Sequence, residues 1–222
     1  MAYITSIKDF SSNRPHSKQI LLICGFIGKI WQMKRLINLL NKNGYNVRAI
    51  DYTTDVLTKG NPQMFLDLVN EVHHEAIRLK KEVHQQILLI GMSMGALISY
   101  YIIRHDERFP KAIMITRGDM VKAVKRSQGR KTWPQNYKEL ANFWKAINLY
   151  SDPKKHKKFS GVMVLPIAGK LIDPDDVRNE IKIQNKAGNH VHLIERRFFG
   201  HIETYSLKQS FSRKEYWSIS KC

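Results

Sequence analysis

The 222 residues hold 37 Lys and Arg against 19 Asp and Glu, a formal net charge of +18, with 43% apolar residues and two cysteines. That length and apolar content suit a single domain spanning 1–222, and Cys24 and Cys222 alone exclude a disulfide framework or a cysteine-built metal site. No apolar run approaches the ~18 residues of a membrane span, and Met1–Arg14 lacks the basic-then-apolar order of a secretory leader, so a cytoplasmic protein is expected.

The first predicted element is Lys18–Cys24 (KQILLIC), a continuous apolar run of the kind that forms a strand buried on both faces. Gly25–Gly28 follows as a tight loop. Ile30, Met33, Leu36, Ile37 and Leu40 then repeat at helical spacing, and Asn43-Gly44 ends that helix. Asn46–Asp51 (NVRAID) reads as a strand. Asn61-Pro62 opens a helix running to about Val83. Gln86–Ile90 (QILLI) is a strand, Gly91–Gly95 a sharp turn, and Ala96 to about His105 an apolar helix closed by Phe109-Pro110.

Lys111–Thr116 (KAIMIT) is the next strand. The stretch from about Gly118 to Phe159 breaks the rhythm: it is basic and aromatic, and partly helical near Tyr137–Leu149. Val162–Ala168 (VMVLPIA) is a strand, Pro174–Lys186 a helix, Val191–Glu195 (VHLIE) a strand, and His201 onward a last helix. Strands alternating with helices predict an α/β fold, a mostly parallel sheet covered by helices on both faces.

One segment carries chemistry. Ile87–Ala96 reads ILLIGMSMGA, a G-x-S-x-G pattern set between a strand and a helix. A serine that must project its hydroxyl from so sharp a turn crowds the backbone two positions before and after it. Gly91 and Gly95 answer that need. Ser93 is the candidate nucleophile, and the Met94 N–H, at the positive end of the following helix, is placed to meet a developing oxyanion.

With these residues the chain resembles the α/β-hydrolase superfamily, of the serine esterase and lipase type, from about Gln19 to Lys208. Ile20–Gly28 (ILLICGFIG) is similar to that family's apolar strand followed by His-Gly-Phe-x-Gly, with Cys24 at the histidine position. The resemblance implies that Phe26 supplies the second oxyanion N–H. Gly44–Tyr52 (GYNVRAIDY) is similar to the family's next strand, with Thr53-Thr54-Asp55 in place of its usual small-residue turn.

A serine hydroxyl needs a histidine to accept its proton and an acid to orient that histidine. In this family the chain order is serine, acid, histidine. The acid is expected in the loop after a late strand, where Gly169–Asp173 (GKLID) resembles the family's G-x-x-D with one extra residue. Asp173 is the first choice; Asp175, Asp176 and Asp119 are the alternatives. Asp173-Pro174 also has the form of a helix N-cap followed by Pro at N1. The base is expected just after the last strand, and Phe198–His201 (FFGH) places His201 there.

The basic stretch at about 118–159 falls where this family inserts a lid. Trp133, Tyr137, Phe143 and Trp144 are candidates to line an acyl pocket, and Lys154–Lys158 to meet an anionic group. The other reading of these residues is a lid's own small core and a solvated lysine surface. Between Lys111 and Lys170 stand 14 basic and 3 acidic residues. Such a field suits an anionic substrate or peripheral contact with an acidic membrane surface. Neither a phosphate-binding loop nor a nucleic-acid-reading module is present. The expected activity is hydrolysis of carboxylic ester or related acyl bonds on a small-molecule substrate, with no metal or organic cofactor. The alternatives are a thioesterase or acyltransferase using the same residues, and an inactive basic binding protein on a hydrolase scaffold.

Overall fold

Every strand anticipated above is present in the computed structural model of the chain, which describes residues 2–14, 18–25, 29–58, 62–115, 158–166 and 172–196. The strands are β1 (Ile4–Phe10), β2 (Lys18–Ile23), β3 (Tyr45–Tyr52), β4 (Ile87–Met92), β5 (Lys111–Ile115), β6 (Ser160–Pro166) and β7 (His190–Arg196). Between them run a short 3-10 helix (Ile30–Met33), α1 (Lys34–Lys42), α2 (Asp55–Thr58), α3 (Pro62–Val83), α4 (Met94–His105) and α5 (Pro174–Lys186). They form one seven-stranded sheet in the order β1-β3-β2-β4-β5-β6-β7. All neighbours are parallel except β1 and β3. The helical reading of Tyr137–Leu149, the lid at about 118–159 as far as residue 157, and the helix from His201 lie outside the described residues.

The central strands read as unbroken apolar runs because both of their faces are covered. Alternation, hidden in the sequence, reappears in which side each residue takes. Leu21, Ile23, Leu89, Ala112 and Met114 pack with α3, α4 and α5. Ile20, Leu22, Ile90, Ile113 and Ile115 pack with the 3-10 helix and α1. Each fully buried aliphatic side chain contributes about 1.5–3 kcal/mol, so these two layers fix the register of the strands to the residue.

β1 is the strand that periodicity did not reveal. Its burial alternates weakly and four of its seven residues are exposed, as befits an antiparallel edge strand with little apolar content. Long-range hydrogen bonds hold it instead. The N–H groups of Tyr3 and Ile4 donate to the Glu71 carboxylate on α3 at 2.8–3.0 Å, and Asp9 pairs with Arg48 of β3 at 2.7 Å.

Candidate active site

Ser93 stands between β4 and α4 with φ 52° and ψ −114°, a left-handed conformation that a residue bearing a Cβ holds only where its surroundings impose it. Those surroundings are backbone. The Ser93 N–H donates to the Ile115 carbonyl at 2.8 Å, and the Ser93 carbonyl accepts from the Ala96 and Leu97 N–H groups at 3.0 and 3.3 Å. A serine at a helix N-cap ordinarily spends its hydroxyl on the N–H of the second or third helical residue. The Ser93 side chain makes no such capping bond.

The two glycines are required for steric reasons. A Cβ on Gly91 would stand 2.1 Å from the Gly95 carbonyl oxygen and 2.5 Å from Ser99 Oγ. On Gly95 it would stand 2.3 Å from the Ile23 carbonyl oxygen and 2.5 Å from that of Cys24. The turn therefore packs α4 directly onto the end of β2, with no side chain between. Met94 is the first residue of α4 and buried. The first N–H groups of a helix lack partners inside it and carry the positive end of its dipole.

Topology sets out the rest of the site. Met92 pairs with Ile115, Ile115 with Val164, and Val164 with Ile194. The ends of β4, β5, β6 and β7 therefore form one row, and β6 and β7 end at the edge of the sheet that carries Ser93. At ~4.8 Å per strand, β6 lies about 10 Å across the sheet from β4. Asp173 follows β6 and is the N-cap of α5: its Oδ1 accepts the Asp175 N–H at 3.0 Å, with Pro174 at N1. The capping role foreseen for Asp173 is realised. A cap uses part of a carboxylate that offers about four acceptor positions, so capping and orienting a histidine are compatible.

The competing acids fall differently. Asp175 is 86% exposed and engaged by Arg178 at 2.7 Å, and Arg178 is also held by Glu195 at 2.6 Å. Asp176 lies in the first turn of α5. Asp119, His201, Phe26, Trp133, Tyr137, Phe143, Trp144 and residues 154–157 lie outside the described residues. Lys158 is described, and its Nζ donates to the Ala187 carbonyl.

Two side-chain pairs went unseen in the sequence because each joins distant segments. Cys24, at the end of β2, has Asp51 of β3 beside it. Burial first, then the charge of Asp51, pushes the thiol far above the ordinary cysteine range. Cys24 is therefore held as the thiol, which is the unreactive form. The second pair is His73 Nε2 with Asp106 Oδ2 at 2.6 Å. It resembles the base–acid half of a triad. Yet Asp106 is the C-cap of α4 and Ser93 its N-cap, so a helix length of about 18 Å separates them. Surface cavities of about 470 Å³ (with Lys80, His84 and Arg108) and 530 Å³ (with Lys111, Ser160 and His190) lie beside the starts of β4, β5, β6 and β7, at the edge away from Ser93.

A family model described as serine aminopeptidase, S33, matches residues 14–191. Solved structures similar to the chain include esterase 2 of Thermogutta terrifontis with butyrate bound (TM-score 0.66, 14% identity, 97% of this chain and 84% of that one). An esterase of Pyrococcus furiosus is similar at a TM-score of 0.67 and 18% identity, over 97% and 88% of the two chains. An acylaminoacyl peptidase is similar at 0.68 and 15%, over 92% of this chain and 36% of that one. No curated protein matches the sequence. Among the described residues no helix is long and apolar enough to cross a membrane.

Proposed function

The chain belongs to the serine aminopeptidase (S33) family of α/β-hydrolases, and from that membership we propose that it hydrolyses carboxylic ester or related acyl bonds through Ser93, Asp173 and His201. The observation that carries the reading is the Ser93 turn: a positive φ at a residue with a Cβ, two flanking glycines without room for one, and a serine side chain not spent on capping.

In this mechanism His201 accepts the Ser93 proton as Oγ attacks the acyl carbon. Asp173 orients the imidazole and stabilises its charged form. The N–H groups of Met94 and Phe26 receive the oxyanion, each worth on the order of 3 kcal/mol. Collapse of the tetrahedral species breaks the bond to the leaving group, which takes the proton from His201 and departs. Water, deprotonated by His201, then attacks the acyl-Ser93 carbonyl; its collapse releases the acid and returns the proton to Ser93. Trp133, Tyr137, Phe143 and Trp144, within the lid at about 118–159, line the acyl pocket in this reading. No residue is assigned to a metal or organic cofactor.

A fluorophosphonate probe should label the wild-type protein, and Ser93→Ala should abolish labelling while leaving the circular dichroism spectrum intact. A folded wild type that takes no label would overturn the reading. Rates on p-nitrophenyl esters, acyl thioesters and aminoacyl p-nitroanilides then rank the esterase against a thioesterase and against the peptidase activity in the family's name. The ester is expected to turn over fastest.

A further inference from the structure

From Phe10 to Ile50 the chain holds seven Lys and Arg residues and no acid. The 3-10 helix and α1 lie in this stretch, and their inner side is closed: Ile30, Met33, Leu36, Ile37 and Leu40 are buried against the sheet. Their outer side is a stripe at helical spacing, Trp31, Lys34, Arg35, Asn38 and Lys42, and all five are exposed. Trp31 is 73% exposed, one of three large apolar side chains so placed among the described residues. Neither the 3-10 helix nor the first turn of α1 has an acid to offset the positive dipole end.

An indole in open water exposes a large apolar ring at a cost, and nothing in the described fold covers this one. At the headgroup level of a bilayer its apolar body and N–H are both satisfied. The lysine and arginine stems beside it can lie along the acyl boundary while their heads stay among the phosphates. We propose that the Trp31–Lys42 stripe is a peripheral docking surface for an anionic lipid bilayer. The 3-10 helix starts seven residues after Ile23, whose β4 partner is Gly91, so Trp31 is at the end of the stripe nearest Ser93. Docking through it turns the α1 face of the sheet toward the lipid, with Ser93 at the Trp31 end of that face. A single ring on the outer side of a helix lacks the succession of stacking rings that a nucleic-acid strand would need.

Sedimentation with sucrose-loaded vesicles tests this. The wild type should pellet with phosphatidylcholine vesicles containing phosphatidylserine and stay in solution with phosphatidylcholine alone. Binding should fall as salt rises. Trp31→Ala should weaken it on the order of tenfold, and Lys34→Glu with Arg35→Glu by more than about tenfold. Lys81→Glu with Lys111→Glu makes the same charge change at the sheet's other edge and should leave binding within about twofold of wild type. Ser93→Ala should bind as the wild type does, so loss of catalysis and loss of docking are read separately. Equal weakening by both charge-reversed pairs would overturn the proposal. So would a wild type that ignores the anionic vesicles, or one that binds a single-stranded oligonucleotide and not the vesicles.

Discussion

The two ends of α4 are held in different ways. At its C-terminal end Asp106 is buried at 8% exposure and engaged from all sides: by His73 at 2.6 Å, by the Arg108 guanidinium at 2.6–2.9 Å and by the Arg108 N–H at 2.9 Å. His73 in turn sets its ring edge-on to Phe109. At the N-terminal end Ser93 is held in a costly backbone conformation, and its side chain does not cap the helix it begins. Saturated polar groups stabilise a fold. A residue kept strained by backbone packing on every side is the mark of a site where geometry matters more than stability. Proximity of an acid to a histidine therefore says little alone: the His73–Asp106 contact, at 2.6 Å, lies at the end of α4 away from Ser93.

The sharpest way to break this contrast is at Asp173, the acid assigned to the strained end. Asn retains the oxygen that accepts the Asp175 N–H, so Asp173→Asn should keep the cap of α5 and the stability of the protein. It should lower kcat on an ester substrate by about 10³–10⁴-fold if Asp173 orients His201. Asp173→Ala should add a loss of ~1 kcal/mol in urea denaturation, because the cap goes too. An Asp173→Asn protein with wild-type kcat would reduce Asp173 to a capping residue and return the role to Asp119 or Asp176.

Glycine substitutions sharpen the same comparison. Gly95→Ala forces a Cβ to within 2.3 Å of one backbone carbonyl oxygen and 2.5 Å of another. Neither can rotate away, and a stability loss of about 3 kcal/mol is expected. At the opposite edge, a Cβ on Gly161 would meet Met114 Cε at 3.1 Å and the Ala112 carbonyl oxygen at 3.2 Å. The methionine end can shift, so Gly161→Ala should cost about 1 kcal/mol. Urea midpoints of the two variants check the ranking. Similar losses would mean that the Ser93 turn relaxes more readily than its contacts imply.

What could be read in the sequence divides along physical lines. The parallel strands were legible because burial on both faces demands apolar runs, and α3 and α5 because Pro62 and Pro174 mark their starts. Ser93 was legible because its turn imposes glycine at fixed offsets. β1 was not: ITSIKDF has no periodicity strong enough to mark an edge strand held by Glu71 from 67 and 68 residues away. The His73–Asp106 and Cys24–Asp51 pairs were hidden for the same reason, since contacts between segments leave no local pattern. Trp31 was hidden differently. The apolar spacing of Ile30, Met33, Leu36, Ile37 and Leu40 was visible, but the exposure of Trp31 beside it shows only in the structure.

Asp106 offers the smaller test, at the saturated end. Burial alone would raise its pKa, yet the hydrogen bonds from the Arg108 side chain and N–H and from His73 outweigh that and hold it well below the ordinary value of 3.8. A carboxyl whose folded pKa lies below its unfolded one stabilises the protein fully at pH values above the unfolded value. That contribution fades as the pH falls below 3.8 toward the folded pKa. Asp106→Asn keeps the shape and removes the charge, so it should destabilise the protein by about 2 kcal/mol at neutral pH. The gap to wild type should narrow steadily below pH 3.8, as the wild-type carboxyl takes up its proton. Urea denaturation at neutral pH and in acid measures both quantities, with the rate on an ester substrate at neutral pH alongside. Because α4 is about 18 Å long, that rate should stay within about twofold of wild type when compared under folding conditions. A pH-independent gap would mean that packing around Asp106 matters and its charge does not. A large loss of rate in a folded Asp106→Asn protein would mean that the two ends of α4 are coupled, and that the division between a structural and a catalytic end is wrong.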